Sequence, residues 1–138
     1  MADEAAVDDA GAPEAEMPAA EGPAPELVHG APVTWSHGQK VLHPDREDLC
    51  TLVRTLRDDD GYLMCLDVCG VDYLTYEADR GLPDAVQPER FEVVVTLISH
   101  VQRTRLRIRV QGPADDATCP SLIDVHPGTE AMEREAFD

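Results

Sequence analysis

The segment Arg103–Val110 alternates without a break. Thr104, Leu106, Ile108 and Val110 hold the even positions, and Arg103, Arg105, Arg107 and Arg109 the odd ones. Successive side chains of an extended strand point to opposite faces, so this run is expected to be a strand with one core face and one face carrying all four guanidiniums. Arg90–His100, rich in Val, Ile and Thr, precedes it across a tight connection, and the two read as a β-hairpin. Whatever else the chain folds into must cover the apolar side of that pair.

The rest of the pattern supplies the cover. Leu49, Leu52, Val53 and Leu56 recur at helical spacing behind the acids of His43-Pro44-Asp45-Arg46-Glu47-Asp48, which predicts a helix over Arg46–Arg57 that stops at Asp58-Asp59-Asp60-Gly61. A strand is expected at Val33–Leu42, a short buried strand at Tyr62–Leu66, and its continuation after Gly70 at Val71–Tyr76; Glu77–Glu89, with two Pro and one Gly, reads as a loop. Ser121 and Asp124 have capping-box-like spacing for a short helix, and Thr129 is placed to cap a last helix through Glu130–Asp138. The fold class expected is α+β, with helices packed on a mostly antiparallel sheet. Residues 1–31 are mainly Ala, Pro, Glu, Asp and Gly and cannot bury enough apolar surface to offset the entropy of ordering. They read as a disordered acidic tail in front of a folded domain over residues 32–138.

Charge narrows the function. The net charge is −17, and residues 1–39 hold eight carboxylates with neither Lys nor Arg, so nucleic acid is not the expected partner of the whole chain. No apolar run is long enough to span a bilayer, and the acidic start lacks the basic region of a secretory signal, which points to the cytoplasm. Cys50, Cys65, Cys69 and Cys119 fit neither a paired zinc framework nor a compact disulfide scaffold, so reduced, inert thiols are expected. His37, His43 and Asp45 could offer three metal ligands, but their spacing has no tight register and His43-Pro44-Asp45 sits where a helix start uses the same residue types. Patterns for hydrolases, kinases and dinucleotide enzymes do not occur. Four arginines two residues apart repel one another, and they suit either open solvent along an edge strand or a negative partner laid across them. Glu133-Arg134-Glu135 with Asp138 would by composition alone be a solvated helix face.

The order of these features adds a resemblance. Arg90-Phe91-Glu92-Val93-Val94, then Arg105-Leu106-Arg107-Ile108, then Pro120 to Pro127, and finally Glu133-Arg134-Glu135-Ala136-Phe137-Asp138 resemble the thirty-kilodalton-subunit family of respiratory complex I. The specific part is the E-R-E-x-[FY]-D ending, and Leu66–Tyr73 resembles the family's first core strand more loosely. The resemblance implies an α+β domain on the peripheral arm of a proton-translocating NADH:quinone oxidoreductase, on the cytoplasmic side of the cell membrane. Such a protein has no catalytic group or cofactor of its own, clamps the quinone-site subunit, and meets the membrane only through the complex. Glu133, Arg134, Glu135 and Asp138 are then the signature and interface residues, and Arg103, Arg105, Arg107 and Arg109 the docking candidates. The family has aromatics where this chain has Val95 and Ala131, and continues past the equivalent of Asp138, so the chain reads as shortened at its C-terminus. The alternatives are a subunit of a related membrane-bound hydrogenase complex, or a free-standing metal-dependent enzyme using His37, His43 and Asp45.

Overall fold

A computed structural model describes residues 26–137. The elements are β1 (Leu27–Val28), β2 (Ala31–Ser36), β3 (Gln39–Leu42), α1 (Leu49–Asp60), β4 (Met64–Asp72), β5 (Phe91–Ser99), β6 (Thr104–Gly112) and α2 (Glu130–Phe137), with single 3-10 turns at Arg46–Asp48 and Pro127–Thr129 leading into the two helices. The six strands form one sheet in the order β1-β2-β3-β6-β5-β4. Every pairing is antiparallel except β3 with β6. The α+β architecture is the one that the hydrophobic periods predict.

Register decides which side chains share a face. Leu42, Ile108, Val95 and Val68 are paired in one row across β3, β6, β5 and β4, and the first three are completely buried. The helix stripe Leu49, Leu52, Val53 and Leu56 joins that row in a single hydrophobic cluster with Leu97, Leu106, Val110, Leu122 and Val125. Burying such side chains supplies about 1.5–3 kcal/mol each relative to exposure, which makes this layer the main source of stability. The next row, Val41, Arg107, Thr96 and Asp67, faces the other way. The sheet therefore has an apolar helix-covered side and a polar side.

Several expected boundaries move, each for a local reason. The span Val33–Leu42 is a hairpin, because His37 (φ 52°) and Gly38 (φ 77°) both adopt the left-handed backbone of a two-residue turn. His29 (φ 50°) and Gly30 (φ 86°) make a second such turn, so residues 26–31 extend the sheet instead of belonging to the tail. The tail assignment for residues 1–25 lies outside the described residues. Helix α1 begins as a 3-10 turn and outlasts its expected end by three aspartates. His29 Nε2 bonds Asp60 at 2.8 Å and Arg57 bonds Asp58 at 2.8 Å, while Gly61 (φ 81°) supplies the left-handed stop three residues late. β4 is one strand, with an irregularity between Cys65 and Asp67, and Gly70 stays in register with Val93 inside it, next to Ala136 of α2. No helix forms at Ser121–Asp124, since Glu133 captures the groups that would start it. Finally, Arg103 (φ 56°) sits in the β5–β6 turn and not on the strand, and β6 is a central strand, so the ladder guards no edge.

Ile108 is in register with Leu42 on one side and Val95 on the other. Replacing it by Ala is expected to cost about 2–5 kcal/mol, read as a lower urea midpoint at an unchanged slope.

Candidate functional site

The polar side of the sheet is itself divided in two. At one end the segment between β4 and β5 folds back over the strands as a strap. Its ends are joined by Arg90 donating to both Asp72 oxygens at 2.9 Å and by the Tyr73 N–H to the Arg90 carbonyl at 2.8 Å. Beneath it lies Glu92, whose side chain is 1% exposed. The carboxylate accepts from Arg109 Nε at 3.0 Å, Gln111 Nε2 at 2.6 Å and the Tyr73 hydroxyl at 3.0 Å. Arg109 also donates to the Arg80 carbonyl at 2.9 Å, and Arg80 bonds Gln111 and stacks 3.9 Å over the Tyr73 ring. A buried carboxylate needs several donors to offset lost hydration, and here the strand and the strap supply them together. Sequence reasoning missed Glu92 as an organising residue, although a single acid in the apolar run Phe91–Ile98 was the available signal.

The four arginines thus have three different environments. Arg109 is spent inside the protein on Glu92. Arg103 projects from the turn. Only Arg105 and Arg107 share the open half of the polar face, in rows with Ile98 and Met64 and with Thr96 and Asp67. Among the described residues neither forms an ion pair or a side-chain hydrogen bond. Met64 is 49% exposed at the margin of this half, which makes the patch both cationic and apolar.

The second feature is the C-terminal helix. Glu133 points inward: its carboxylate accepts from the Ser121 hydroxyl at 2.6 Å, the Leu122 N–H at 2.7 Å and the Thr129 hydroxyl at 3.2 Å. It ties the 120–122 loop to α2 and is a structural clamp within the domain. Arg134 is exposed and bonds Glu130 one turn back at 2.9 Å, and Glu135 is exposed. Asp138 lies outside the described residues. Phe137, 90% exposed, overhangs a groove of about 400 Å³ that reaches down to Val68, Val93 and Val95 between α2 and the Cys119–Leu122 loop. The structure brings Glu133, Ser121 and Thr129 together and leaves Arg134, Glu135 and Phe137 facing outward.

The metal reading fails on geometry. His37 sits in an exposed turn, Asp45 is exposed, and His43 is buried with Nε2 2.8 Å from Thr34 Oγ1. Among the described residues no three His, Cys, Asp or Glu side chains gather in a way that could hold an ion. Burial, helped by the Arg109 charge and opposed by Glu92, pushes His43 down to about 4. Burial also raises all four thiols, Cys119 to about 11 with Cys50 and Glu133 adding to the effect. Such thiols stay protonated and are poor nucleophiles at neutral pH.

With this geometry in view, the comparisons with known proteins are consistent with one another. The model of the family described as respiratory-chain NADH dehydrogenase, 30 Kd subunit, matches residues 42–138. The NADH-quinone oxidoreductase C-subunit of Laribacter hongkongensis is 39% identical over 111 residues, covering 80% of this chain and 54% of the relative. Its counterpart from Sinorhizobium medicae is 37% identical over 114 residues, covering 81% and 50%. Among solved structures, the trypsin-resistant fragment (1-134) of Nqo5 superposes with a TM-score of 0.68 at 28% identity, covering 80% of this chain and 82% of that one. The chain spans about half the length of the curated relatives it matches.

Two outcomes follow from the buried groups. Glu92→Gln leaves Arg109 without its counter-charge, and is expected to destabilise the fold by about 3 kcal/mol in chemical denaturation. Combining it with Arg109→Met is expected to recover part of that loss, as a positive coupling in the double-mutant cycle. His43 stays neutral in the folded protein down to about 4, whereas the unfolded chain protonates it near 6.5. Unfolding takes up a proton between those values, so stability falls as pH drops from about 6.5 to about 4, by about 3 kcal/mol at the bottom of that window. His126, also lowered by burial, acts in the same direction. His43→Gln is expected to flatten the pH dependence of the urea midpoint there, while the depressed Asp72 and Asp116 act only below their ordinary 3.8.

Proposed function

The chain belongs to the family of the 30 kDa subunit of respiratory-chain NADH dehydrogenase, and on that premise we propose that it is a non-catalytic subunit of the peripheral arm of an NADH:quinone oxidoreductase. In this reading it clamps the quinone-site subunit and carries no cofactor. The observation that carries the proposal is a domain whose Glu92 and Glu133 carboxylates are paired internally and which leaves two outward surfaces unspent. One is the Arg105–Arg107 patch on the open half of the sheet, and the other is the exposed surface of α2, where Arg134 and Glu135 face solvent and Phe137 stands beside the groove. Cations without internal partners on a rigid sheet set encounter and register with an acidic neighbour, and an exposed aromatic beside a groove is the sort of anchor that binding energy concentrates on. The relatives bear the name NADH-quinone oxidoreductase, which supports this complex over a hydrogenase. No helix among the described residues is long and apolar enough to cross a membrane. Contact with the cytoplasmic side of the membrane then comes through the partner subunits.

If the patch docks, changing Arg105 and Arg107 together to Glu is expected to weaken association with the quinone-site subunit by about tenfold or more at low salt. The loss should shrink as ionic strength rises, and the isolated chain should keep its melting temperature. Assembly unaffected by this double change would remove the patch from the interface. Arg134 offers a second, independent check. In the isolated chain its single exposed pair with Glu130 is worth a few tenths of a kcal/mol, so Arg134→Lys should leave the melting curve in place. In membranes the same change is expected to lower quinone reductase activity, because Lys cannot reproduce a planar two-nitrogen contact to a carboxylate.

A further inference from the structure

The two edges of the sheet differ. On one side it ends in β1, which pairs only Leu27 and Val28. On the other it ends in β4, nine residues long and paired on its β5 side alone. A long open edge presents a row of N–H and C=O groups that another chain can complete, and proteins commonly blunt such an edge with Lys, Pro or a bulge. β4 has neither Lys nor Pro. Its one irregularity, at Leu66, leaves Asp67–Asp72 as a regular run in register with Phe91–Thr96. The end of that run shows which groups point outward. The Tyr73 N–H bonds the Arg90 carbonyl at 2.8 Å, and inward and outward groups alternate along an antiparallel edge, so Cys69 and Val71 face β5 together with Tyr73. The N–H and C=O of Val68, Gly70 and Asp72 are turned away from β5, and no main-chain group among the described residues bonds them. Asp67, Cys69, Gly70 and Asp72 are exposed along this stretch.

The flanks of the edge decide what kind of strand fits it. On the polar side of the sheet stand Asp67, whose carboxylate has no ion pair among the described residues, and Cys69. Burial raises the Cys69 thiol, and the Asp67, Glu92 and Glu135 carboxylates add to the rise against Arg107, which puts Glu135 of α2 close to the same stretch. Arg134, its neighbour, is already spent on Glu130. On the helix side, Gly70 and Asp72 border a groove of about 440 Å³ together with Ala136 and Phe137, and Phe137 is 90% exposed. One flank thus suits positive charge and the other an apolar side chain, at the two-residue alternation of an extended strand. A second copy of this chain is a poor occupant, since each copy carries a net charge of −17 and β4 holds two acids and no base.

From the open main-chain row and its two flanks we propose that β4 is a docking edge for one extended segment of a partner polypeptide. The segment adds a strand beside β4 by pairing with Val68, Gly70 and Asp72, and it alternates basic side chains toward Asp67 with apolar ones toward Phe137. This goes beyond the function proposed above, because it lies on a different element from the Arg105–Arg107 patch and fixes the conformation of the partner as well as its charge. The main-chain bonds supply the affinity, and the two rows of side chains supply the selection. Glu133, by fixing α2 over the sheet, sets where Phe137 stands relative to the added strand.

Amide hydrogen exchange of the full-length chain, read residue by residue by NMR, tests this with three capped synthetic hexapeptides. The first alternates Lys and Val. The second has the same side chains but a methyl group on every main-chain nitrogen, so it keeps the charge and cannot donate to an edge. The third alternates Glu and Val. In the chain alone, the amides of Val68, Gly70 and Asp72 are expected to exchange about tenfold or more faster than those of Cys69 and Val71. About 1 mM of the Lys–Val peptide should slow those three amides about fivefold or more and leave the core amides of Leu97 and Ile108 unchanged. The methylated and Glu–Val peptides should slow none of them. Cys69→Lys, at an exposed position, should abolish the slowing by the Lys–Val peptide, and Cys69→Asp should keep it. No slowing by the Lys–Val peptide overturns the proposal, and so does equal slowing by either of the other two. Outward amides already protected in the chain alone also overturn it, and a dimer in light scattering would then assign the edge to a second copy.

Discussion

The buried carboxylate of Glu92 sets the terms for half of the molecule. It sits on β5 facing away from the helices, where an apolar residue would simply have packed, and a charge in that position is tolerated only with donors on several sides. β6 supplies Arg109 and Gln111, and the position just after β4 supplies Tyr73. Because Arg109 and Gln111 also hold Arg80, the same carboxylate organises the strap between β4 and β5, a segment with no fully buried residue of its own. Removing the charge would loosen the strap as well as the strand. A conventional hydrophobic face could have covered this end of the sheet, but it would not have fixed one arrangement of a segment so rich in Pro, Gly and acids.

That arrangement explains why the alternating strand was legible and its arginines were not. Period two places Leu106, Ile108 and Val110 on one face whatever lies around them, so the hairpin and its core side follow from the sequence alone. The fate of each guanidinium depends on what crosses the other face. Arg109 meets an acid from the neighbouring strand, in a register that the turn sets, and Arg103 falls into that turn with positive φ. Helix α1 was visible through Leu49, Leu52, Val53 and Leu56, yet its end was not, because Asp58 is held by Arg57 and Asp60 by His29 and Gln102, the last two contributed by distant segments. The two His-Gly turns were legible in principle, since a Gly at the second position of a two-residue loop is a hairpin signal. The strands between them are so short that they merge into one apparent run.

The same contrast applies to the metal reading. His37, His43 and Asp45 are close in sequence, and proximity along the chain suggested a ligand set. The β2–β3 turn carries His37 to the far end of a hairpin, and alternation along β3 and its extension points His43 into the protein toward Thr34. The chain then turns outward at Pro44, leaving Asp45 in solvent. Three residues within nine positions therefore point in three directions, which only the turn geometry reveals.

The C-terminal signature divides in a way that bears on why such a short motif can identify a family. Glu133 faces inward and satisfies the Ser121 hydroxyl, the Leu122 N–H and the Thr129 hydroxyl, so it determines where α2 and the 120–122 loop lie relative to the sheet. Arg134 and Glu135, one and two positions further round the helix, face solvent and contribute little to the isolated domain. A change at Glu133 would act through the fold, by releasing buried donors and letting α2 drift over Gly70. A change at Arg134 can act only through something that the isolated chain does not contain. Since adjacent helical positions lie about 100° apart, one residue of the motif fixes the helix and the next two are thereby aimed outward at a set angle. The internal clamp is what gives the outward side chains, Phe137 among them, a defined place to meet a neighbour.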